Sequence, residues 1–219
     1  MKNTLRSVAI ASFVMAILLL TAQSPTAQAQ ARGENTSQSA NRNTEIVVAN
    51  TIATEVNTEA AHNFLQDEYL VVYDREGQIF GQRMSGGGEL LHGKFKISDD
   101  SGNKQPTIAF NHTTSSYVVA WVDDEDDYQN IWAVSVAGTH QSVGDQFYSI
   151  PFQVTNGLAD HYDPSIACNM VASTCLTAFV WDNGAQATLI VAQRIAVGPA
   201  SINHDGDQFV IPFDDFNKD

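Results

Sequence analysis

Short runs of β-branched and aromatic residues, each bounded by polar turn-formers, fill this chain from about residue 46 onward. Beyond the N-terminal apolar run no stretch carries a helical period, so strands are predicted throughout. The pattern repeats. "PTIAFNHTTSSYVVAWV" at residues 106–122 lies over "PSIACNMVASTCLTAFV" at residues 164–180 without a gap, at an offset of 58. "TEAAHNFLQDEYLVVYD" at residues 58–74 lies over the first of these at an offset of 48. Asn63, Asn111 and Asn169 fall in register, as do Tyr69, Tyr117 and Cys175. In each copy a short strand ends at the asparagine, a polar turn follows and a longer strand begins. A third strand comes next: "QIFGQRM" from Gln78, "NIWAVSV" from Asn130 and "TLIVAQRI" from Thr188. A fourth follows a Gly-rich or polar loop: "GKFKIS" from Gly93, "GDQFYSIPFQVT" from Gly144 and "GDQFVIPF" from Gly206. The first copy lacks the proline, and its first strand is weak in apolar residues.

Four antiparallel strands every 48 to 58 residues predict an all-β fold of β-propeller-type repeats. One such sheet cannot bury both faces alone, and stacking sheets side by side buries them. Val118, Ala120 and Val122 are expected to face one neighbour, Val119 and Trp121 the other. Three four-stranded blades are expected, at about residues 58–98, 106–155 and 164–213, within a repeat domain over residues 45–219. "IVVAN" at residues 46–50 resembles the fourth-strand segment "FQVTN" and is read as one extra N-terminal strand. A β-sandwich is the competing architecture. Three blades are too few for a closed ring. The chain is therefore expected either to assemble with copies of itself, two chains making six blades, or to be a piece of a longer propeller.

The N-terminus carries an address. Lys2 and Arg6 precede an apolar run over residues 8–20 that is too short for a stable membrane span. Two overlapping small-x-small sites end at Ala29 and Ala31, so residues 1–31 read as a signal peptide. Residues 32–44, "RGENTSQSANRNT", are polar throughout and read as a flexible leader. A secreted, extracellular or periplasmic location is expected. Without Lys2 and Arg6, nine basic residues face 25 acidic ones. Such a surface repels nucleic acid and anionic membranes, so neither nucleic-acid binding nor membrane insertion is expected.

Few residues suggest chemistry. Cys168 and Cys175 flank the turn between the first two strands of the third copy. Cross-strand partners approach within disulfide range, and export permits oxidation, so a structural disulfide is expected. "DDEDD" at residues 123–127 concentrates five carboxylates in one turn. Asp123, Asp124, Asp126 and Asp127 are candidate Ca2+ ligands; the competing reading is a solvated acidic turn, since the spacing is not that of an EF-hand. Beyond that ion no cofactor is expected. Tyr128, in the same turn, is an aromatic with little packing demand and a candidate for stacking on a sugar. The six histidines are scattered, and neither an HExxH motif nor a nucleophile elbow is present. No catalytic residue is assigned.

"PTIAFN", "YVVAWVD", "EYLVVYD" and "IFGQR" together resemble the repeats of large secreted bacterial β-propeller proteins, over about residues 46–213. The resemblance lies in scaffold positions. It implies an extracellular binding or surface module and carries over no catalytic residue. The expected role is non-catalytic binding of a glycan or a protein on a cell surface or in a matrix. The alternatives are a fragment or accessory domain of an extracellular hydrolase, such as a glycosidase, and a structural self-assembling module.

Overall fold

The computed structural model describes residues 45–49, 53–98, 101–124, 126–139, 149–185, 188–198 and 200–212. The expected signal peptide and leader lie outside the described residues. Among the described residues every regular element is a strand, and no helix is long and apolar enough to cross a membrane.

Three antiparallel sheets follow one another along the chain. The first comprises β1 (Glu55–Asn63), β2 (Glu68–Arg75), β3 (Gln78–Ser85) and β4 (Leu90–Lys96), paired in that order. The second comprises β5 (Asn103–Asn111), β6 (Ser116–Asp123), β7 (Asn130–Ala137) and β8 (Phe152–Gln153). In the third, β9 (Asp160–Cys168), β10 (Thr174–Asp182) and β11 (Thr188–Val197) pair in sequence. Two short pieces, β12 (Ile202–His204) and β13 (Phe209–Val210), then both pair with β11. The first strands β1, β5 and β9 lie side by side.

Two apolar cores separate the sheets. Leu70, Val72 and Ile79 of the first meet Phe110, Tyr117, Val119 and Trp121 of the second. Val118, Ala120, Val122 and Ile131 of the second meet Cys175, Phe179, Val191 and Ile195 of the third. The period-2 alternation of β6 therefore serves two neighbours, and every residue from Ser116 to Val122 is buried. Each fully buried valine stabilises the fold by roughly 1.5–3 kcal/mol. In β10, by contrast, buried and more exposed positions alternate, because among the described residues one face of the third sheet has no neighbouring sheet against it.

Polar contacts fix the first junction. Arg83, 1% exposed, pairs with Glu68 at 2.5 Å and donates to the Ala137 carbonyl across the gap. Its guanidinium carbon stands 5.8 Å from the Tyr117 ring centre. The Tyr117 hydroxyl donates to the Glu68 carbonyl at 3.0 Å, and Asn63 Nδ2 donates to the Gly138 carbonyl at 2.7 Å. Burial, and then the Glu68 charge, pushes the Tyr117 hydroxyl well above the usual tyrosine range, so it remains a donor.

Four expectations differ from the fold. Residues 46–49 carry no strand, and Asn50 lies outside the described residues. Ile46 instead approaches Gly88, on the β3–β4 loop. The weak first strand is a full nine-residue strand, since pairing with β2 and packing beside β5 substitute for intrinsic hydrophobicity. The fourth strand expected from Gly206 is broken into β12 and β13, with Gly206 at φ 90° in the gap. In the second sheet only Phe152–Gln153 is strand among the described part of residues 144–155.

Candidate functional site

The prolines that open the sequence repeat do not start strands. β5 begins at Asn103 and β9 at Asp160, and Pro106 and Pro164 sit inside them. At each proline the ladder slips by one residue. Lys104 pairs with Val122 and Thr107 with Ala120, so Gln105 and Pro106 together oppose Trp121. Tyr162 pairs with Val180 and Ser165 with Ala178, so Asp163 and Pro164 oppose Phe179. Val56 pairs with Asp74 and Glu59 with Val72, so Asn57 and Thr58 oppose Tyr73. These are three β-bulges at offsets of 48 and 58, in register with the sequence repeat. A bulge leaves one residue outside the ladder, which is where a proline without an N–H fits.

The residue ahead of each bulge's second position is left-handed. Asn57, Gln105 and Asp163 have φ of 50°, 52° and 51°. For residues with a Cβ this costs about 1–2 kcal/mol each, borne most easily by Asn and Asp. Hydrogen bonds offset the strain and link the three sheets. Asn57 Nδ2 donates to Asp74 Oδ2 at 2.5 Å, and the Gln105 N–H donates to the same oxygen at 3.4 Å. Gln105 Nε2 donates to Asp163 Oδ1 at 2.8 Å, and the Asp163 N–H donates to Gln105 Oε1 at 3.3 Å. Asp74, 6% exposed, is the joint between the first two bulges. Its counterparts in the other sheets are Val122 and Val180, so only the first sheet places a carboxylate there.

The bulges line a cleft of about 260 Å³ formed by Asn57, Thr58, Glu59, Gln105, Pro106, Asp163 and Pro164. Side-chain amides, a hydroxyl and carboxylates converge there beside two proline rings. The groups both donate and accept, and none is cationic. A second cleft of about 660 Å³ lies at the opposite end of the strands, between the second and third sheets. Thr113, Thr114, Ser173, Ser201 and Asn203 supply its polar groups. It is larger but involves a single junction, whereas the bulge cleft draws the same position from all three sheets.

The residues singled out from sequence fall elsewhere. Cys168 and Cys175 form a disulfide with Cα atoms 3.9 Å apart. The Asn169 N–H donates to the Thr174 carbonyl at 2.9 Å, which makes the adjacent cysteines a non-hydrogen-bonded pair, the closer of the two kinds. In the acidic turn, Asp123 ends β6 opposite Asn130, and Asp124 is taken by Lys104 Nζ at 2.5 Å. Asp126 and Asp127 are exposed, and Glu125 lies outside the described residues. Among the described residues no group of three or more His, Cys, Asp or Glu is placed to hold a metal ion. Tyr128, 38% exposed, lines neither cleft. Asn111, the repeat asparagine of the second copy, is fully buried and reaches Cys175 Sγ at 3.6 Å.

Sequence reasoning missed Asn57, Glu59, Asp74, Gln105 and Asp163. The signal was a polar residue ahead of two in-register prolines, and an aspartate where the repeat otherwise holds valine. No protein-family model matches the chain, and no curated protein matches it.

Proposed function

We propose that this chain is a secreted, propeller-type binding module that holds a neutral glycan in the cleft where β1, β5 and β9 meet. One observation carries the reading: three equivalent bulges turn Asn57, Gln105 and Asp163 toward one polar cleft. Sugar hydroxyls both donate and accept hydrogen bonds, as do the amides of Asn57 and Gln105. The faces of Pro106 and Pro164 suit the C–H side of a sugar ring. The excess of acidic over basic residues disfavours anionic polymers. Placing polar groups on strands fixes their geometry better than a mobile loop does. The disulfide suits an oxidising compartment and agrees with the N-terminal address. The side-by-side first strands and the two-faced burial of β6 favour blades of a propeller over a two-layer sandwich. The reading calls on no cofactor. A surface protein bearing the same sugars would be bound through them.

A glycan array followed by calorimetry tests this. Neutral oligosaccharides should bind, and Asn57→Ala, Gln105→Ala and Asp163→Ala should each weaken binding about tenfold, the worth of one or two hydrogen bonds. Thr113→Ala, in the other cleft, should leave it unchanged. Array silence, or loss only in Thr113→Ala, sinks the proposal.

A hydrolytic role has one observation in its favour: Glu59 and Asp163 line the same cleft, and glycosidases use paired carboxylates. Turnover of aryl-glycosides that disappears in Glu59→Gln would establish it in place of simple binding.

A further inference from the structure

Each sheet has a front, facing the next sheet along the chain, and a back, facing the previous one. Among the described residues no sheet lies against the back of the first sheet or the front of the third. Leu70, Val72 and Ile79 on the first front are fully buried. Their counterparts on the third front are Leu176, which is exposed, and Ala178 and Ile190, which are partly exposed. Tyr117 and Val119 on the second back are fully buried, whereas their counterparts Tyr69 and Val71 are only half-buried.

The polar residues say which faces belong together. At the first junction Arg83 stands over Tyr117. At the second junction both members change, to Ser135 on the front and Cys175 on the back. The two open faces restore both: Arg194 on the third front and Tyr69 on the first back. The neighbouring glutamine is restored too. Gln82 Nε2 donates to the Arg83 carbonyl at 2.9 Å, and Gln193 Nε2 to the Arg194 carbonyl at 2.8 Å. Asp205, 2.6 Å from Arg194, stands in for Glu68. Asn169 repeats the turn of Asn63, its Oδ1 accepting the Val171 N–H as Asn63 Oδ1 accepts that of Leu65. Asn63 Nδ2 spans the first junction to Gly138, whereas Asn169 Nδ2 has no partner among the described residues.

We infer that the front of the third sheet docks on the back of the first sheet of a second copy, rebuilding the Arg83–Tyr117 junction with Arg194 and Tyr69. Asn169 Nδ2 then reaches the Gly86 carbonyl of the second copy, since Gly86 occupies the position of Gly138. The contact is head-to-tail, so it forms twice when two copies close on each other. For copies that each bring the three described sheets, two is the number, because six is the only multiple of three within the four to eight blades of ordinary propellers. The choice of faces rests on the repeat alone; the stoichiometry rests on the propeller reading above.

Sedimentation velocity across a range of concentrations tests this with the purified chain and two variants. Arg194→Glu disables the front and Tyr69→Arg the back; both side chains are at least partly exposed, and an unchanged β-sheet circular dichroism spectrum confirms folding. The chain itself should run at the mass of two copies. Each variant alone should run as one copy, and an equal mixture should return to two, because each supplies the face the other lacks. Asn169→Ala should weaken association about tenfold without affecting the fold, as loss of a desolvated hydrogen bond does. A single-copy mass at every concentration, or a dimer indifferent to both variants, overturns the docking. Growth beyond two copies that both variants abolish overturns closure at six sheets, and the propeller stoichiometry with it, while the paired faces stand.

Discussion

Gln105 and Asp163 hold one another reciprocally across two sheets, side-chain amide to carboxylate at 2.8 Å and backbone N–H to side-chain oxygen at 3.3 Å. Both sit left-handed at the same bulge of successive repeats. The backbone conformation and the hydrogen bonds make opposite demands on a substitution at Gln105. Glycine removes the left-handed penalty and alanine does not, so Gln105→Gly should be more stable than Gln105→Ala by about 1 kcal/mol. Denaturant unfolding of the two variants measures the difference. Equal stabilities would show that the bulge does not impose that conformation.

Arg83 is the buried charge of the first junction. Arg83→Met leaves Glu68 buried without its partner and should cost about 3–5 kcal/mol. Adding Glu68→Gln to that variant should recover part of the loss, because a neutral amide is cheaper to bury than a carboxylate. Chemical denaturation of the single and double variants tests this; a double variant no better than the single one would place the cost in packing instead.

His161 makes the fold sensitive to acid. Burial against Phe179, with ring centres 5.4 Å apart, lowers its pKa from 6.5 despite the raising effects of the Gln129 and Ala159 backbone and of Asp160. The unfolded chain therefore takes up the proton more readily than the fold. Stability from this group is complete above about pH 6.5 and is lost as pH falls toward the lowered folded value. His161→Phe should flatten that part of the pH–stability curve. Parallel slopes for the two proteins between about pH 7 and pH 5 would contradict the assignment.

The acidic turn already has a cation. Lys104 holds Asp124 at 2.5 Å, and Asp126 and Asp127 stand exposed. Millimolar Ca2+ should leave the melting temperature unchanged. A saturable rise that disappears in Asp124→Asn would instead establish the Ca2+ site that the run of carboxylates suggests.

Much of the architecture was legible because burial on two faces leaves a continuous mark. Residues 117–122 carry only aliphatic and aromatic side chains, and each copy repeats the apolar spacing needed to present a front and a back. The disulfide was legible because Cys168 and Cys175 flank a hairpin turn. The site was not. A proline before an apolar run reads as the boundary of a strand, yet Pro106 and Pro164 sit in bulges several residues inside β5 and β9. A bulge depends on how two strands slip against each other, and no single strand encodes that. Asp74 was hidden in the same way: at the end of "EYLVVYD" it reads as a turn residue, whereas pairing with Val56 buries it under Asn57. Residues 46–49 show the reverse error, since their apolar pattern carries no strand.

The most direct test of the central claim, that the three bulges form one binding site, is an amide chemical-shift titration with neutral oligosaccharides. Shifts should concentrate at Asn57, Thr58, Gln105 and Asp163, across all three sheets at once. Shifts confined to Thr113, Ser173 and Ser201 at the other end of the strands, or none at all, would contradict it.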